Sequence, residues 1–129
     1  MTRALIPRGM EGAGEALAAS PGLISGDHVF LTGMTGSRED GSMPADVQTQ
    51  AENAMEKIGR ILAEAGLSHS AIVEMTTYHI DIKTHFDAFN QVRRRYVSEP
   101  FPAWTAVEVA GLRRPGALVE IRVIAARNP

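Results

Sequence analysis

No cysteine occurs among the 129 residues. That excludes a disulfide framework, thiolate metal ligands and a cysteine nucleophile, and it suits a reducing compartment. No apolar run approaches the ~18 residues that span a membrane. The stretch Met1 to Gly14 holds no hydrophobic segment of the secretory kind. The expectation is a cytoplasmic protein with no membrane partner. Excess charge of one sign is also lacking. The net charge is −2, so no overall basic field invites nucleic acid. The four histidines, His28, His69, His79 and His85, form no HxH or HExxH pair, and no metal site is expected. Gly33-Met34-Thr35-Gly36 lacks the lysine and the further glycines of a phosphate loop. No nucleophile elbow surrounds any serine.

What is present is ordinary globular material. The chain is 44% hydrophobic and 22% charged, and its length suits one domain with a sizeable core. Residues 1–22, rich in Gly, Ala and Pro, read as an irregular entry segment. Leu23–Ser25 and Val29–Thr32 flank Gly26-Asp27 and predict a hairpin. Gly33–Met43, with three glycines among polar residues, predicts a surface loop. A helix follows, with Pro44 suited to its first position. Val47, Ala51, Ala54, Met55, Ile58, Ile61, Leu62 and Ala65 fall at steps of three and four and form one stripe. Gly66 caps it in the left-handed conformation. Gln48, Glu52, Glu56, Lys57 and Arg60 form its solvated side.

Ile72–Ile80 is rich in β-branched residues and predicts a strand. Thr84 with Asp87 resembles a capping box opening a second helix. Phe86, Phe89, Val92, Tyr96 and Val97 supply its buried stripe. Arg93-Arg94-Arg95 fans around its solvated side, and Pro100 and Pro102 stop it. Two strands, about Trp104–Val109 and Leu118–Ala126, are joined by the turn Arg113-Arg114-Pro115-Gly116. The order β-β-α-β-α-β-β predicts a mixed sheet with both helices on one face and a hairpin at each end. Val107, Val109, Ile121 and Val123 make a sheet face apolar. Two helices cover only one face, so subunits are expected to associate through the other.

The run Pro102–Ala125, PAWTAVEVAGLRRPGALVEIRVIA, resembles the C-terminal signature of the Rid family of reactive intermediate deaminases, also called YjgF proteins. Ser20-Pro21-Gly22, Gly26-Asp27 leading to Val29-Phe30-Leu31-Thr32-Gly33, the Gln50–Gly66 helix, Thr76-Thr77-Tyr78, Phe89-Asn90 and Gly116–Ile121 occur in family order and spacing. The resemblance covers about Ser20 to Ala126. It implies an α+β, chorismate-mutase-like fold and a homotrimer, with three sheets packed into a central barrel and a ligand cleft at each subunit interface. It implies hydrolysis of an imine or enamine with release of ammonia and no cofactor. In the family an arginine grips the substrate carboxylate, and a glutamate and backbone groups position water.

Glu120 matches the family glutamate, Thr32-Gly33 the residues of the cleft floor, and Asn90 a helix asparagine. Trp104 stands where the arginine is expected. Ala106 stands where cysteine is common, Ala19 where an aromatic covers the pocket, and Arg122 where a second glutamate is frequent. Tryptophan cannot form two N–H bonds to a carboxylate; it offers a flat face and one indole donor. Such a site accepts an aromatic, apolar or cationic group, unless Arg113, Arg114 or Arg122 restores the charge. Glu120 is either the acid/base of the site or the ion-pair partner of Arg122, since 120 and 122 share a strand face, or of a neighbouring subunit's arginine. Trp104 either lines the pocket or packs as a core or interface anchor. Two functions follow: an imine/enamine deaminase with altered specificity, or a trimer that binds a small molecule without catalysis.

Overall fold

A computed structural model describes residues 2–127. The elements are β1 (Thr2–Leu5), α1 (Gly12–Leu17), β2 (Gly22–Ser25), β3 (His28–Leu31), α2 (Val47–Ala63), β4 (Ile72–His79), α3 (Ile82–Arg93), β5 (Ala103–Glu108) and β6 (Val119–Ala126). The six strands form one mixed sheet in the spatial order β1-β2-β3-β6-β4-β5. The β4–β5 pair is parallel and the other pairs are antiparallel.

The period-two pattern of β6 explains its central place. Val119, Ile121, Val123 and Ala125 are buried, while Glu120, Arg122 and Ile124 alternate to the other face. The buried set packs under α2 and α3 in one continuous core with Val29, Leu31, Met75, Ile58, Ile61 and Phe89. Each large side chain fully removed from water there stabilises the fold by roughly 1.5–3 kcal/mol.

The α2 stripe forms as its spacing predicts, with Ala51, Ala54, Met55, Ile58, Ile61 and Leu62 fully buried. The helix starts later than Pro44. Asp46 is its N-cap, accepting the Thr49 N–H at 2.9 Å, which satisfies one orphan donor of the first turn. Gly66 sits at φ +73 beyond its end, where glycine avoids the Cβ clash of the left-handed region.

Four local expectations give way to the observed structure. The entry segment is not irregular throughout. The free edge of β2 recruits Thr2–Leu5 as β1, Leu5 burying against it, and Gly12–Leu17 forms the exposed helix α1. The last two strands do not form a hairpin. β5 lies at the sheet edge beside β4, and β6 inserts between β3 and β4, because a strand with one wholly apolar face gains most at the covered centre. The capping box at Thr84 is not used; α3 opens at Ile82 behind Asp81, which has φ 50 and makes no side-chain cap bond. Finally, the 33–43 loop is not all surface. Gly36 lies directly on the Gln50 backbone, a Cβ there overlapping it, and Thr35 and Ser37 are buried.

Gln50 ties these loops to the helix. Its amide nitrogen donates to the carbonyls of Pro44 (2.7 Å) and Gly116 (3.0 Å), and its oxygen accepts the Leu118 N–H at 2.7 Å. Fully buried, it spends its polar groups on three backbone partners.

Candidate functional site

Glu120 sits where β3 leaves β6. The two strands pair from His28 to Phe30, and contact resumes through reciprocal N–H···O bonds between Met34 and Ile121 at 2.8 and 2.9 Å. Thr32 and Gly33 are the residues bowed out between these clamps. Thr32 is fixed by its N–H to Pro21 and by its hydroxyl to the Ser20 carbonyl at 2.6 Å. The Glu120 carboxylate lies on Gly33, where any Cβ would overlap it. The lack of a side chain at Gly33 lets the carboxylate settle there; a Cβ would push this flexible side-chain end aside. Among the described residues Glu120 makes no ion pair; the one present joins Arg95 to Glu52. The alternative pairing with Arg122 is therefore not formed within the chain.

A cavity of about 610 Å³ opens beside this point, lined by Ala19, Thr32, Gly33, Lys57, Arg113, Arg114 and Glu120 among others. Arg113 and Arg114 thus reach the same space as the glutamate, and Arg122 does not line it. Lys57 reads from its neighbours as a solvated residue, yet it is half-buried. Its Nζ donates to the Thr35 carbonyl at 2.8 Å and to Ser37 Oγ at 2.9 Å. Burial, together with the charges of Arg114 and Arg60, lowers its pKa to about 8. Its position next to Ile58 and three residues after Ala54 was the available signal, since it borders the apolar stripe.

Trp104 lies elsewhere. In the β4 register Trp104 is opposite Met75 and Ala106 opposite Thr77, whereas Glu120 is opposite Tyr78. Alternation then puts Trp104 and Ala106 on the helix face and Glu120 on the open face. Trp104 is laid along α3. It stacks on Phe86 (centroids 5.5 Å apart, planes at 7°), touches Phe89, and carries the Arg93 guanidinium 3.5 Å above its ring. Asn90 belongs to this second cluster, its Oδ1 accepting from Arg93 Nε at 3.0 Å. The expected site residues therefore fall into two groups within the chain: Ala19, Thr32, Gly33 and Glu120 in one, and Asn90, Trp104 and Ala106 in the other.

Behind Trp104, its Nε1 donates to Thr77 Oγ1 at 3.0 Å, and that hydroxyl meets His79 Nε2 at 2.7 Å. His79 is fully buried and its Nδ1 has no partner. Burial holds its pKa below the usual 6.5. The folded state keeps His79 neutral, while the unfolded chain takes up a proton near pH 6.5. Its contribution to stability is thus complete above that pH and is lost as pH falls below it. Urea unfolding at pH 7.5, 6.5 and 5.5 is expected to show stability declining by up to ~1.4 kcal/mol per pH unit from this group. The decline should be shallower in His79→Phe; equal slopes would place the proton uptake elsewhere.

The chain is a two-layer α+β domain that sets a carboxylate over a glycine beside a cavity. The family described as Endoribonuclease L-PSP matches residues 15–127, and the chain belongs to it; this is the Rid/YjgF family of the resemblance. The chain is 38% identical over 107 residues to the RutC family protein YjgH of Escherichia coli (strain K12), covering 82% of this chain and 80% of that protein. It is 38% identical over 87 residues to the 2-iminobutanoate/2-iminopropanoate deaminase of Capra hircus, covering 67% of this chain and 62% of that protein. A solved structure of a protein YjgH superimposes with a TM-score of 0.86 at 34% identity, over 96% of this chain and 95% of that one. The mixed sheet with two long helices is thus the family fold. No helix among the described residues is long and apolar enough to cross a membrane.

Proposed function

We propose that this chain hydrolyses the C=N bond of an imine, or of an enamine after its tautomerisation, with Glu120 as the proton carrier. The single observation carrying this reading is the Glu120 carboxylate held on Gly33 at the cavity mouth, without an ion-pair partner among the described residues. The name of the goat relative supports the reaction type. Water would add to the imine carbon while the C=N electrons pass to nitrogen. Glu120 takes a proton from the water and returns it to that nitrogen. Collapse of the carbinolamine then forms the carbonyl and releases ammonia, so imine and water become carbonyl compound and ammonia.

We further propose that the two residue groups meet across a subunit interface of a homotrimer. The open sheet face carries Phe30 and Val107, large apolar side chains 39% and 37% exposed, beside Tyr78, Thr105 and Ile124 in the same registers. Covering that face would remove apolar area from water, and β5 is an unpaired edge. In the proposed trimer the Asn90–Trp104 group, carried beside the free β5 edge rather than on the open face, would adjoin the Glu120 group of the next protomer. The protein is proposed to work in the cytoplasm without cofactor, nucleic acid or membrane.

The test is a rate assay on imines generated in place, one carrying a carboxylate (2-iminobutanoate) and one neutral and aromatic. Ammonia release should exceed the buffer rate for at least one of them. No acceleration of either by folded protein would favour a trimer that binds a small molecule without turning it over.

A further inference from the structure

We infer that Arg93 is the specificity-determining cation of this site, reaching from α3 over the Trp104 ring to bind a substrate carboxylate. This rests on the reading of the Asn90–Trp104 group as half of the imine site. What it adds is the residue, which none of the expectations above places in the site.

The geometry of Arg93 motivates it. The residue is 9% exposed, although it stands in a run of three arginines that reads as solvated. Phe86, Phe89 and Arg93 lie at intervals of three and four along α3, so one helix face presents all of them to Trp104. The guanidinium is therefore held on a fixed aromatic platform in a cation–π arrangement, while burial, with the charge of Arg94, pulls its pKa below the ordinary arginine value.

Its hydrogen-bonding capacity is largely unspent. Nε donates to Asn90 Oδ1 at 3.0 Å. Nη1 has only the Met75 sulfur, 4.0 Å away, a weak acceptor. Among the described residues no other acceptor meets the guanidinium, and no carboxylate lies within ion-pair distance of it. The group also lines a groove at the surface with Asn90, Arg94, Val97, Ser98, Glu99 and Phe101. Placing a cation in such a sheltered position without an anion is costly. An anionic ligand would supply the missing acceptors, and a carboxylate matches the remaining fork of donors. Asn90 would hold that fork in plane through Nε.

Arg113 and Arg114 are weaker candidates for this task. They line the cavity on the Glu120 side, and Arg114 already donates to the Gly41 carbonyl at 3.1 Å.

The test uses the product-like acid 2-oxobutanoate and its methyl ester, titrated calorimetrically into wild type, Arg93→Gln, Arg93→Lys and Glu120→Gln, each checked for its oligomeric state and circular dichroism. Wild type should bind the acid at least tenfold more tightly than the ester. Arg93→Gln should weaken the acid about 10–100-fold, the scale of a charged hydrogen-bond pair, and leave the ester unchanged. Arg93→Lys keeps the charge without the fork and should lose about tenfold for the acid. It decides the matter if the glutamine variant fails to fold. Glu120→Gln should retain the acid preference. Equal binding of acid and ester by wild type, or undiminished acid affinity in both Arg93 variants, overturns the inference. Arg93-dependent binding without ammonia release would leave it standing while removing the hydrolase reading. Hydrolysis that ignores Arg93 would do the reverse.

Discussion

Glu120→Gln is expected to lower kcat/KM for imine hydrolysis by about 10²- to 10⁴-fold, the usual contribution of a positioned general acid–base group. The amide is nearly isosteric and remains able to lie on Gly33, so packing around the clamp between Met34 and Ile121 is preserved. What it loses is the capacity to accept a proton from attacking water and pass it to the imine nitrogen. Stability should change little, because Glu120 makes no ion pair among the described residues. Steady-state ammonia release and thermal unfolding, measured on the same preparation, separate these effects. A variant that melts normally and hydrolyses normally would remove Glu120 from the chemistry.

The largest stability effect is expected from Gln50→Leu. Leucine fills similar volume but leaves the Pro44 and Gly116 carbonyls and the Leu118 N–H without their partner. Each stranded buried group costs about 1–3 kcal/mol. Compensation by water would bring the total to about 3 kcal/mol and the melting temperature down by roughly 10 °C. Gln48→Leu, on the exposed side of the same helix, should stay within about 0.5 kcal/mol. The two variants are compared by thermal unfolding at one protein concentration, since association would also shift the midpoint. A loss under about 1 kcal/mol in Gln50→Leu would mean that the loops it joins hold themselves.

Gln50 also marks where sequence reading runs out. Its neighbours Ala51, Ala54 and Met55 declare the buried face of α2 by spacing alone, and that face formed as expected. A polar residue inside the stripe gives no sign of which distant carbonyls it will meet. The same limit applies at the C-terminal turn. Arg113-Arg114-Pro115-Gly116 tells that the chain reverses, a local property. Which strand β6 then joins is decided by burial of Val119, Ile121, Val123 and Ala125, a property of the whole sheet.

The site shows a related division. Along β6, the shared face of Glu120 and Arg122 follows from alternation. Whether Trp104 shares that face depends on the β4 register, which no single strand discloses; the answer is that it does not. Resemblance supplied Glu120, Thr32, Gly33 and Asn90, and the structure groups them in two places. Arg93 was within reach of pattern reading, at one helical turn from Phe89 and two from Phe86. Its charge, and its place in a basic run, argued the other way. The charge of Lys57 hides its half-buried place in the same way.

The central claim is that the proposed site is completed by two protomers, and subunit complementation tests it most directly. Glu120→Gln removes the proton carrier. Asn90→Trp would obstruct the Arg93–Trp104 side without touching the glutamate. Each variant alone should hydrolyse 2-iminobutanoate slowly while remaining folded. After unfolding, 1:1 mixing and refolding, random trimers with cyclic symmetry would carry an intact Glu120 side facing an intact Asn90 side at about a quarter of their sites. Recovery of about a quarter of wild-type activity is the predicted result. Activity no greater than that of the two variants measured separately, in trimers shown to have exchanged subunits, would contradict a shared site.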